Sequence, residues 1–173
     1  MNKTLHYGLV LFIIASISAS ILAFINGKTA PVIAERSKRE EIEARKNVLL
    51  AEDYKIEEKK EIEGMEFIPA YKNNKKIGYV VKTIGPGYGG DIVILFGVDM
   101  NGKITGINIL KALETPGLGD KILNKEWQKR WIGKDKNYEF KVGVDSFAGA
   151  TISPRGVYTG LMKALDAFEK EVK

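Results

Sequence analysis

The run Asp145-Ser146-Phe147-Ala148-Gly149-Ala150-Thr151-Ile152-Ser153 sets one threonine among small residues, directly ahead of the last apolar-periodic segment. Gly149 and Ala150 give its hydroxyl little steric cover. A helix opening behind it would turn unsatisfied N–H groups and a positive dipole end toward an anion. The chemistry such a site suits is phosphate binding, or a phosphoester on the threonine itself. By residues alone, a turn ahead of a capped helix explains the same run. Asp145 fits either a recognition role or a cap on that turn.

A second run, Glu114-Thr115-Pro116-Gly117-Leu118-Gly119, combines a hydroxyl, a leucine and two glycines that allow close backbone approach. A loop leaving a strand would use the same Pro and Gly merely to turn the chain. Cys is absent and the one histidine, His6, stands at the edge of an apolar N-terminal stretch. Disulfides, thiol chemistry, zinc clusters and protein-ligated iron–sulfur centres are thereby excluded from this chain's own residues. A serine-type triad has no histidine beyond that stretch. No catalytic and no metal-ligating residues are expected, so any redox role must be borne by a borrowed cofactor.

Two other motifs lose to plainer readings. Gly85-Pro86-Gly87-Tyr88-Gly89-Gly90 contains G-x-G-x-x-G, but a strand rather than a helix follows it, which argues against a dinucleotide fold. A glycine-rich loop beside a cofactor remains open for it. Gly97 to Lys103 approaches a phosphate-loop pattern, yet Ile104 stands where a metal-binding Ser or Thr is needed, and a hairpin turn accounts for the Gly-Lys pair.

Gly149-Ala150-Thr151 followed by Ser153 resembles the flavin-attachment motif of FMN-binding subunits in membrane redox pumps. The pattern is most similar to the G-type subunit of the Rnf electron-transport complex, and related to the C-type subunit of the sodium-translocating NADH:quinone reductase. Ala148 stands where the usual pattern has serine. One N-terminal span, a linker helix, the Glu114–Gly119 segment and a final helix follow the family order. The resemblance implies FMN held covalently by a phosphoester on Thr151, with Gly149, Ala150, Ser153, Glu114, Thr115, Gly117, Leu118 and Gly119 forming the rest of the cofactor site. It implies that Thr115 and backbone N–H groups bond the ring edge and that Leu118 covers its face. It also implies a flavin transferase for maturation, other membrane subunits of an ion-translocating complex as partners, and an extracytoplasmic soluble domain. The quinone-reductase counterpart and a cofactor-free membrane-anchored adaptor stand as alternatives.

The elements that must position these residues read as follows. Tyr7 to Ile25 carries no charge and is long enough to span most of a bilayer as a retained anchor. Lys28, Arg36, Lys38 and Arg39 follow it, and by the positive-inside rule they favour a cytoplasmic C-terminal side, against the resemblance. Pro31 suits the first position of a second helix reaching about Leu50, with Glu35/Arg39 and Glu41/Arg45 pairs and a stripe of Ile42, Val48, Leu49 and Leu50. The expected organisation is an anchor over 1–27, a linker helix and exposed segment over 28–64, and an FMN-binding domain over 65–173.

Within that domain, Glu66–Lys72 and Lys76–Ile84 predict a hairpin turning at Asn73-Asn74-Lys75. Asp91–Val98 reads as a strand buried on both faces. Asn101-Gly102 signals a type I′ turn into Lys103–Leu110, whose alternation slips at Gly106, where a bulge would restore it. Trp127 and Trp131 lie four apart on a short helix near Lys125 to Trp131, as a core pair or a docking surface. Tyr138–Val144 is expected as a last strand. A helix from Pro154 to about Val172 is capped by Ser153, with Val157, Leu161, Leu165, Phe168 and Val172 on one face. The sum is an α+β fold, a twisted antiparallel sheet flanked by helices and preceded by one transmembrane helix. A net charge of +5 with acids and bases interleaved argues against nucleic acid.

Overall fold

The apolar stretch and the charged segment behind it form one continuous helix, α1 (Lys3–Val48), in a computed structural model that describes residues 3–172. Pro31 therefore does not begin a new helix. Just ahead of it, Thr29 donates its hydroxyl back to Ile25 O at 3.0 Å, an in-helix bond. The apolar part of α1 is the one helix among the described residues long and apolar enough to cross a membrane. Two compact units divide the chain, Met1–Glu40 and Glu41–Lys173.

The second unit is built on a six-stranded antiparallel sheet of β1 (Asp53–Tyr54), β2 (Lys60–Ile62), β3 (Met65–Lys72), β4 (Lys75–Pro86), β5 (Asp91–Asp99) and β6 (Ile104–Lys111), in the order β1-β3-β4-β5-β6 with β2 also on β3. The expected β3–β4 hairpin forms, and Asn73 and Asn74 adopt the two positive φ values (49° and 59°) that a primed turn demands. The β5–β6 turn differs from the expectation. Only Gly102 has positive φ there, while the Asp99 carboxylate accepts from the Asn101 and Lys103 N–H groups at 2.8 and 2.9 Å. A side chain thus holds a longer turn where two left-handed residues were expected.

Alternation decides what each face of the sheet buries. Phe67, Val81, Ile92, Ile94, Phe96 and Ile104 face one core, whereas Ile68, Ala70, Val80 and Leu95 face another, so β5 is buried on both sides as its apolar run demands. Thr105 is the bulged residue beside Gly106, and the register shift returns Ile107 and Ile109 to the face of Ile104. The last turns of α1 cover the smaller core with Ala44, Val48 and Leu49. Ile42 and Leu50, expected on that stripe, are exposed instead. Gly97 and Gly106 make room for the end of α1: an added Cβ would stand 2.4 Å and 2.8 Å from Val48 O. The Thr105 hydroxyl then caps that carbonyl at 2.6 Å. Lys82 and Arg45 both reach Glu41, so although burial alone would raise its carboxyl, these cations hold it below the usual range.

The larger core is closed by α4 (Ile152–Ala167) and the wider turn Phe168–Val172 that continues it. All five expected apolar positions are buried. Each such side chain stabilises by about 1.5–3 kcal/mol when fully removed from water. Close approach is set by Gly85 and Gly156, since a Cβ at Gly156 would lie 1.8 Å from Pro86 O. Trp127, on α2 (Lys125–Lys129), and Trp131 just beyond it pack edge to face at 5.7 Å within this core, so they are not a surface pair.

Tyr138–Val144 is not a strand. The chain there folds into a loop ending in a single helical turn, α3 (Val142–Asp145). Asp145, only 1% exposed, causes this. Its carboxylate accepts from the Lys141 N–H at 2.8 Å, the Tyr138 hydroxyl at 2.8 Å and the Lys134 ammonium at 3.3 Å. These bonds curl the segment around one anion and leave no extended edge to pair.

Candidate functional site

The turn that presents Thr151 is fixed from below. Trp127 donates its indole N–H to Asp145 O at 2.9 Å, and Phe147 tilts against the Trp127 ring at 5.5 Å. From Phe147 the chain turns sharply, with Ala150 N–H bonded to Phe147 O at 3.0 Å and Gly149 at φ 77°. Ala148 stands at the corner of this turn, and Gly149 is required at the left-handed position that follows. Asp145 is thus the turn's foundation rather than an exposed recognition element. Although burial alone pushes its carboxyl up, the Lys141 N–H, Tyr138 and Lys134 hold it below the usual range. In return, burial and the bond to Asp145 push the Tyr138 hydroxyl up to about 12.

Thr151 occupies the N-cap position of α4, and its side chain makes no capping bond. Ser153 is not the cap: it lies inside the first turn, 2% exposed, and donates its hydroxyl to Glu114 Oε2 at 2.5 Å. The start of α4 thereby carries no side-chain cap, and an uncapped threonine hydroxyl stands beside its orphan N–H groups.

The Glu114–Gly119 segment lies opposite. Thr115-Pro116-Gly117-Leu118 forms a tight turn closed by Leu118 N–H to Thr115 O at 3.1 Å, with Pro at the second place and Gly117 at φ 76° in the third. These are the residues a type II turn requires, so Gly117 shapes the wall without lining it. Gly119 is pressed between neighbours; an added Cβ would meet Ser153 Oγ at 2.4 Å and Glu114 Oε2 at 2.7 Å.

Residues 87–90 form the third wall. Glu114 Oε1 accepts from the Tyr88 N–H at 3.0 Å and the Gly89 N–H at 3.4 Å. Gly89 is obligatory there, because a Cβ would stand 1.6 Å from Leu113 O. The glycine-rich loop therefore belongs to this site, and Tyr88 is a lining residue that sequence reasoning did not single out. An aromatic residue set between glycines that press on another backbone is the signal that could have found it.

Together Tyr88, Glu114, Thr115, Leu118, Gly119 and residues 149–153 enclose a cleft of about 370 Å³. That lies within the range of small-molecule sites, which run from roughly 300 to 1,000 Å³. Leu118, Ile152 and a 72% exposed Tyr88 give it apolar walls open to solvent. The lining combines the Thr151 hydroxyl and the start of α4 with these apolar side chains. This donor set fits a ligand with a phosphate at one end and a flat, largely apolar ring at the other.

Comparison with known proteins agrees. The family model for the FMN-binding domain matches residues 87–166, from the glycine-rich loop through most of α4. The chain is 33% identical over 94% of its length, and 90% of the relative's, to the G-type subunit of the Na(+)-translocating ferredoxin:NAD(+) oxidoreductase complex of Acetobacterium woodii. It is 32% identical over 95% of its length to the G-type subunit of the ion-translocating oxidoreductase complex of Escherichia coli O157:H7, covering 91% of that protein. The crystal structure of the C-type subunit of the Na(+)-translocating NADH-quinone reductase from Parabacteroides distasonis shares the fold, with a TM-score of 0.52 at 24% identity over 61% of each chain. That of NqrC from Shewanella oneidensis gives a TM-score of 0.51 at 22% identity, over 66% of this chain and 65% of the other.

Proposed function

The chain belongs to the family of G-type subunits of ion-translocating oxidoreductase complexes, and from that premise we propose that it is an electron-transfer subunit carrying FMN on Thr151 through a phosphoester. The observation that carries the proposal is the uncapped Thr151 hydroxyl at the helix start, inside the cleft that Leu118 and Tyr88 wall. When bound, the flavin supplies the electron-carrying ring that the chain's own side chains lack.

Each wall has a definite role in this reading. The N–H groups at the start of α4 hold the phosphate, and the dipole favours its charge by about 0.3–1 kcal/mol. Gly149 and Ala150 keep the approach to the hydroxyl clear. Thr115 and the backbone N–H groups of 115–119 left free by the turn would bond the ring edge, and Leu118 would cover one face of it. Ser153 is bonded to Glu114 and serves the wall rather than the ligand. Among the described residues no side chain bonds the threonine hydroxyl to activate it, so a flavin transferase would form the ester, taking the flavin phosphate from FAD with AMP as the leaving group. Electron transfer itself needs no general acid or base from the protein.

We further infer the setting. The apolar part of α1 anchors the chain, and the FMN-binding domain over 65–173 takes in residues 41–64 of the expected 28–64 linker as part of its own compact unit. The soluble domain is extracytoplasmic and passes electrons between other membrane subunits of the complex. The near full-length likeness to the G-type subunit favours the ferredoxin:NAD(+) type over the quinone-reductase type.

Expression of the full chain with an active flavin transferase tests this. Wild type should give a fluorescent band after SDS denaturation and an intact mass raised by one flavin nucleotide, and Thr151→Ala should give neither. A dark wild-type band would favour a cofactor-free adaptor, and a fluorescent Thr151→Ala band would move the attachment point.

A further inference from the structure

Two carboxylates are buried among the described residues, Asp145 and Glu114. A buried carboxylate ordinarily has a cation beside it, and Asp145 has Lys134 at 3.3 Å. Glu114, 9% exposed, lines the cleft and takes part in no ion pair within 4 Å among the described residues. Its partners are neutral: the Tyr88 and Gly89 N–H groups on Oε1 and the Ser153 hydroxyl on Oε2. The two N–H groups can only donate, so Oε1 is an acceptor, while Oε2 shares a hydrogen bond with a hydroxyl. The start of α4 offers about half a unit of positive charge, and a phosphoester on Thr151 would already engage it.

Resting on the reading that FMN occupies this cleft, we propose that Glu114 is a positioning residue that also acts electrostatically. It braces loop 87–90 and the start of α4 as walls of the site, and its uncompensated charge lowers the reduction potential of the flavin held between them. An electron arriving in the cleft adds negative charge beside a carboxylate that has no cation within 4 Å among the described residues. Repulsion across a partly desolvated wall makes that arrival less favourable.

Glutamine can replace Glu114 without breaking the brace. Its amide oxygen accepts from Tyr88 and Gly89, and its NH2 donates to Ser153 Oγ, which turns its own hydroxyl outward. Wild type, Glu114→Gln and Glu114→Asp are made as full chains with the flavin transferase, and loading is measured by intact mass and in-gel fluorescence. Each loaded chain is then titrated against a chemical reductant while the flavin absorbance is followed. Glu114→Gln should load flavin and show a midpoint potential shifted upward, whereas Glu114→Asp, which keeps the charge, should stay with wild type. A loaded Glu114→Gln at the wild-type midpoint overturns the proposal, as does a Glu114→Asp midpoint raised as far as that of Glu114→Gln. If Glu114→Gln does not load, Glu114→Asp alone decides: a raised midpoint refutes the charge argument, and an unmoved one supports it. A wild-type chain without flavin would sink the FMN reading itself, a result distinct from any of these.

Discussion

Asp145 and Glu114 are both buried and both gather several donors, Asp145 from within 11 residues and Glu114 from 25 to 39 residues away, yet they belong to regions of opposite kind. Around Asp145, an ammonium, a phenol and an N–H close on the anion, aromatic rings pack behind it, and the carboxylate is shut off from solvent. Around Glu114, two N–H groups and a hydroxyl hold the anion while a cleft stays open beside it. The lesson is that burial of a charge does not by itself define a functional site. What separates them is whether the surrounding donors consume the charge and the space, or leave both available.

If that contrast holds, the brace should govern stability and the cleft should govern the ligand. Asp145→Ala is the sharpest attack on the first half. It strands Lys134, the Tyr138 hydroxyl and the Lys141 N–H, and should cost about 3–5 kcal/mol in urea unfolding. The acid limb of stability checks the same group. Its folded-state carboxyl titrates below the unfolded value, so its contribution is complete above the usual carboxylate range and is lost as pH falls through the depressed value. Unfolding free energy of wild type should therefore drop on acidification more steeply than that of Asp145→Asn, and parallel curves would break the comparison.

Gly89→Ala attacks the cleft wall. Its Cβ cannot coexist with Leu113 O, so loop 87–90 must move away from Glu114. We expect a loss of about 1–3 kcal/mol in thermal or urea unfolding, as for other overpacked sites, together with weakened flavin loading. Thr151→Ala is the mildest to the fold. It removes a hydroxyl that bonds nothing in the helix and should change unfolding free energy by no more than about 0.5 kcal/mol, while abolishing flavin attachment. A large destabilisation by Thr151→Ala would erase the distinction between the two regions.

The amino-acid sequence by itself determined the elements whose signals are local. The charge-free run Tyr7–Ile25, the apolar face of α4, the Asn73-Asn74 turn, the doubly buried β5 and the bulge beside Gly106 all follow from periodicity and turn chemistry within a few residues. Thr151, Gly149 and the Glu114–Gly119 segment were likewise legible, because small residues ahead of an amphipathic helix and a Pro-Gly turn are local patterns. What only the tertiary structure decided depends on side-chain bonds, some of them between residues far apart in the chain. The Glu114 contacts span 26 residues to Tyr88 and 39 to Ser153. They recruit Ser153 from a cap into a wall and bring Tyr88 into the site. Asp145, fastened to Lys134, Tyr138 and Trp127, turned an alternating segment that reads as a strand into a loop. Side-chain hydrogen bonds of this kind outcompete local propensity when burial makes an unsatisfied partner costly, and the apolar–polar alternation that a sequence window displays does not record them.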